Sequence, residues 1–76
     1  MIDMRDGLRI VIAKTGMKQN VVAERAQLTE QQLSDIVNKR RKLDANELIA
    51  LCRSMGVSSN DVFVAASSTE ESKIPQ

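Results

Sequence analysis

The chain has 76 residues and a formal net charge of +1, which limits it to one small domain and gives no bulk electrostatic pull toward nucleic acid. Phe63 is its only aromatic residue, so the core must be built from Leu, Ile, Val, Met and Ala, a palette that favours helices over sheets. With no histidine and one cysteine, it lacks the commonest general base and cannot form an internal disulfide or a zinc site.

The first predicted helix covers about residues 3–14. Met4, Leu8, Val11 and Ile12 recur at helical spacing on one apolar face. Asp3 is placed to cap it and Gly16 to end it; Ile10 falls off the stripe. A short second helix follows over about 18–26, with Val21, Val22 and Ala23 apolar, and Gln27 and Leu28 form a tight connection. Thr29 then opens a third helix, with Gln32 three residues on in capping-box spacing. Leu33, Ile36 and Val37 form its buried stripe, while Glu30, Gln31, Ser34, Asp35 and Asn38 make a polar face. Lys39, Arg40, Arg41 and Lys42 follow directly, where cations suit the helix dipole. Asp44 and Glu47 open a fourth helix by the same box; Leu48, Leu51, Cys52 and Met55 make its stripe and Gly56 its stop. Ser58 and Asp61 open a short fifth helix carrying Val62 and Phe63. From Ala66 the composition turns to that of a disordered tail. The expected architecture is all-α, a compact five-helix domain over residues 1–65 with a disordered tail over 66–76.

Catalytic chemistry is not expected. Cys52 lies on an apolar stripe and reads as a small core residue. The three glycines read as scattered helix stops and form no phosphate-cradling loop. The acidic pairs Asp3/Asp6 and Glu70/Glu71 read as cap and tail features. No cofactor, metal or small-molecule ligand is expected. Acids stand where a secretory signal carries positive charge, and the longest apolar run, Ile10 to Ala13, is too short to span a membrane. A reducing cytoplasmic setting without membrane contact is the expectation.

From Gly16 to Phe63 the sequence resembles the phage repressor/Cro (XRE-type) helix-turn-helix family. The resemblance rests on Gly16-Met17-Lys18-Gln19, Ala23, Leu28-Thr29, Leu33-Ser34 and Ile36. It continues through Leu51-Cys52-Arg53-Ser54-Met55-Gly56-Val57-Ser58 and Asp61-Val62-Phe63. It implies a lambda-repressor-like fold whose third helix enters the major groove of double-stranded DNA. By position it assigns base contacts to Glu30, Gln31 and Asp35, with Ser34 and Gln32 beside them. Gln31 is the clearest reader, because one glutamine can bond adenine N6 and N7 together. A carboxylate can accept from cytosine N4 but repels phosphates, so Glu30 and Asp35 are alternatively a helix-dipole residue and a solvated one. Phosphate contacts fall to Gln19, Thr29, Gln32, Asn38 and the run Lys39, Arg40, Arg41 and Lys42. Thr29 has an equal reading as a plain cap, and the cationic run one as a solvated loop.

The chain departs from the family pattern at three places. Many members carry glycine where Gln27 and Lys39 stand, positions that favour positive φ, so strain is expected there. Many also pair an arginine of the first helix with a glutamate of the third. The matching residues here are Ile12 and Val37, so an apolar contact is expected to replace the ion pair.

Two or three base contacts, at about 1–3 kcal/mol each, reach only part of the ~4–10 kcal/mol that separates specific from non-specific binding. A homodimer reading an inverted repeat is therefore expected, with Val62, Phe63 and Val64 as its surface. The alternative role for these residues is to close the core, with Phe63 as anchor. The functional expectation is a transcriptional repressor. The alternatives are the DNA-binding antitoxin of a toxin–antitoxin pair, or a protein-interaction module that keeps the fold without binding DNA.

Overall fold

The computed structural model describes residues 2–71, and side chains through residue 68. Five helices follow in order: α1 (Met4–Thr15), α2 (Gln19–Arg25), α3 (Glu30–Val37), α4 (Ala45–Met55) and α5 (Ser59–Glu71). Helix boundaries coincide with local capping chemistry. Asp3 accepts from the Arg5 backbone N–H at the start of α1. Thr29 with Gln32, and Asp44 with Glu47, form reciprocal capping boxes at α3 and α4. Ser58 and Asp61 exchange the same pair of bonds at α5, at 2.9 and 3.2 Å. Each box satisfies two N–H groups that no helical turn can reach. Gly16 and Gly56 end α1 and α4 with φ of 71°.

α1 packs mainly against α5, while α2 lies against both α3 and α4. Leu8, Val22, Leu33, Ile36, Leu51 and Val62 are fully buried at the centre. Ile12 and Val37, which stand where many family members carry an ion pair, are both buried in this core cluster. Ile10, off the main stripe, is half-buried and packs against the edge of this core. Cys52 is buried within it, and burial pushes its thiol above the usual range, as for a small apolar residue.

Three sequence expectations are corrected. Gly7 is not a helix stop. It lies inside α1, where a Cβ would collide with the Val62 carbonyl oxygen, so the missing side chain lets α1 and α5 approach closely. Val62 is fully buried and cannot belong to a dimer surface, whereas Phe63 is 46% exposed and does not anchor the core. Third, α5 runs to Glu71 with Ala66 only 2% exposed, so residues 66–71 are helix and not tail. The apolar pattern Val62, Ala65 and Ala66 continues the buried face past the point where composition turns polar. Residues 72–76 of the expected tail lie outside the described residues.

Candidate nucleic-acid interface

α2, the turn after it and α3 form the core of the site. Ala23 is buried where α2 meets α3, and its carbonyl accepts from the Leu28 N–H at 2.9 Å. This bond folds the chain back between the helices. Gln27, at the tip of the turn, has φ of 61°, the left-handed conformation that glycine adopts at lower cost. Leu28 packs against the core beneath it.

α3 has only eight residues, and so short a helix is marginal unless packing supports it. Leu33, Ile36 and Val37 supply that support, leaving the opposite face polar. Glu30, Gln31 and Ser34 line an open hollow of about 370 Å³ on that face. One turn on, Gln31 Nε2 donates to Asp35 Oδ1 at 2.9 Å, and Arg40 Nε donates to the same oxygen at 3.0 Å. Gln31, Asp35 and Arg40 are thus one connected group. Asn38 caps α3, and its Nδ2 donates to the Ser34 carbonyl at 2.9 Å. Gln32 Oε1 accepts from the Thr29 N–H, which leaves the Gln32 amide nitrogen available for an outside acceptor. Gln19 opens α2, where Lys18 provides no side-chain cap.

The cationic run is largely paired with acids. Lys39 Nζ lies 2.8 Å from Asp6 and 3.8 Å from Asp3. Arg40 pairs with Asp35, and Arg41 with Glu47 at 2.7 Å. Arg5 joins the same cluster, bonding Asp3 and donating to the Arg41 carbonyl at 3.1 Å. The Arg5 guanidinium holds the Asp3 carboxyl down at about 2. Among the described residues Lys42 is the one cation of the run without an ion pair. Lys39 has φ of 63°, so its ion pairs help hold a residue that the backbone alone disfavours. Sequence reading did not place Arg5, Asp6 or Glu47 here. No signal in the chain links residues 3–6 to 39–41, because only tertiary packing brings them together.

Of the expected dimer surface, Phe63 and Val64 are exposed, Val64 at 56%. Val64 borders an open groove of about 460 Å³ between α1 and α5, lined also by Val11, Lys14, Val57 and Asp61. Among the described residues no helix is long and apolar enough to cross a membrane, and no cluster of potential metal ligands occurs.

Two short helices joined by a tight turn, the second with a free polar face, define a helix-turn-helix protein. Residues 7–66 match the model of the Cro/C1-type HTH DNA-binding domain, and the chain belongs to that family. Two solved structures of the clp gene regulator ClgR from Corynebacterium glutamicum share the fold. One superposes with a TM-score of 0.85 at 23% identity, over 92% of this chain and 74% of that one. The other gives 0.82 at 24% identity over the full length of both. No curated protein matches the chain in sequence.

Proposed function

We propose that this chain is a sequence-specific regulator of transcription, acting as a repressor that lays α3 in the major groove of double-stranded DNA. The observation that carries this reading is the exposed polar face of α3, on which Gln31 is linked through Asp35 to Arg40, in a chain of the Cro/C1-type family. Gln31 is the principal base reader, with Glu30 and Ser34 beside it. Gln19, Thr29, Gln32, Asn38 and the loop from Lys39 to Lys42 follow the phosphates and set the docking register. The fold shared with ClgR, itself a regulator of clp genes, supports a regulatory role. A homodimer doubles the contacts and reads half-sites about 34 Å apart. Of the exposed apolar side chains, Phe63 and Val64 are adjacent on α5 and are the pair proposed for its surface.

A second reading, a protein-interaction module, draws on the acid partners of Lys39, Arg40 and Arg41, which lower the free positive charge beside α3. Selection from a random duplex pool at two salt concentrations separates the readings. A regulator enriches an inverted repeat and loses affinity steeply as salt rises. Weak, salt-sensitive binding without enrichment leaves a backbone binder only, and no binding at low salt favours the interaction module.

A further inference from the structure

A free glutamine amide is ambiguous in the major groove. Its carbonyl and one N–H match adenine, which offers a donor at N6 and an acceptor at N7. Its two N–H groups together match guanine, where O6 and N7 both accept. In this chain one of the two N–H groups is already occupied, because Gln31 Nε2 donates to Asp35 Oδ1. An ionised carboxylate has no hydrogen to give, so turning the amide over would set two acceptor oxygens against each other. Arg40 binds the same oxygen from the loop side and holds the carboxylate in place. Gln31 is left with one N–H and its carbonyl.

We propose that Asp35 is a specificity-determining positioning residue, which takes one N–H of Gln31 and so leaves a donor–acceptor pair that fits adenine and not guanine. The inference rests on α3 being the DNA-reading helix. Asp35 acts through Gln31, since its Oδ1 already accepts from Gln31 and Arg40. Its Oδ2 could still accept from a base, and selection with Asp35→Ala separates that direct role from the positioning one. The bond to an anion also polarises the amide and makes Gln31 Oε1 a stronger acceptor for the adenine amino group. Removing the Asp35 carboxylate leaves the turn after α3 in place, because the Asp35 backbone carbonyl accepts the N–H groups of Arg40 and Arg41.

The test is duplex selection with the full chain and with Gln31→Ala, Asp35→Ala and Asp35→Asn, each checked for helicity and melting. The unsubstituted chain enriches adenine at one base pair per half-site, and Gln31→Ala loses that preference. Asp35→Ala keeps the rest of the motif but admits guanine there, with the adenine-to-guanine ratio falling about tenfold. Asp35→Asn, which keeps an acceptor oxygen facing Arg40 and Gln31, restores most of the ratio. Loss of a negative charge also raises affinity for every sequence alike, and a rise without a change in the ratio overturns the proposal. So does a preference lost from a different base pair in Asp35→Ala, which would make Asp35 a direct reader, or a base pair at Gln31 that is not adenine. If the unsubstituted chain enriches no sequence, the regulator reading itself fails and the inference falls with it.

Discussion

Gln27 and Lys39 show what single residues contribute and cost. Both adopt positive φ, as the family pattern with glycine at these positions implied, and a side chain there costs about 1–2 kcal/mol over glycine. Gln27 is exposed and makes no hydrogen bond through its side chain, so Gln27→Gly is expected to stabilise the fold by about 1 kcal/mol. That would appear as a rise in Tm of roughly 4–8 °C in thermal unfolding. Lys39 is different, since its ammonium group joins Asp6 and Asp3 and glycine would remove that tie. Asp3 makes a pH prediction. Its folded pKa is about 2 against an ordinary 3.8, so it favours the folded state wherever it is ionised in both. That contribution is complete above about pH 4 and fades as pH falls toward 2. In Asp3→Asn the helix cap survives but the charge does not. Melting curves for the two proteins are therefore expected to differ at neutral pH and to converge on acidification. The gap is small, because Asp3 is partly exposed and solvent screens its pairs.

At the scale of elements, the α3–α4 connection does two things at once. It ties the end of α3 to the start of α1 through Lys39 and Arg5, and it presents cations beside the polar face. The pairings divide those tasks. Lys39, Arg40 and Arg41 each have an acid to leave before they can meet a phosphate, whereas Lys42 does not. Lys42→Ala is expected to weaken DNA binding equally on all sequences and to lower the salt slope by about 1, with Tm unchanged. Salt titration of binding by fluorescence anisotropy measures both. A Lys42→Ala protein whose base preferences change would place Lys42 at a base edge instead.

For the whole molecule, the proposed homodimer is tested at Phe63. Phe63 is half exposed on a helix whose buried face is made by Val62, Ala65 and Ala66. Truncating a buried phenylalanine costs about 3–5 kcal/mol, but Phe63→Ala is expected to leave monomer stability within ~1 kcal/mol. The same substitution is expected to shift sedimentation from dimer to monomer at micromolar concentration and to weaken binding to an inverted repeat more than to a half-site. A large loss of stability at low protein concentration, where only monomer is present, would return Phe63 to the core.

The five helices, their caps and their stripes were legible from sequence because each depends on residues three or four apart. Thr29 with Gln32, Asp44 with Glu47, and Leu33 with Ile36 and Val37 are all local patterns. The polar face of α3 was legible for the same reason, and the positive φ at Gln27 and Lys39 through the family pattern. Relations across the chain were not. Gly7 looked like another helix stop until Val62 was found against it, and Val62 and Phe63, adjacent in sequence, point to opposite environments. The end of α5 was misplaced because a polar composition hid the small buried Ala66. The ion pairs that join residues 3–6 to residues 39–41 have no local signature at all. The sequence by itself determined which segments are helical and which face of each is apolar. Only the tertiary structure decided that Lys39 meets Asp3 and Asp6 and that Arg5 reaches the Arg41 carbonyl, because those contacts depend on how rigid helices are set against each other in space.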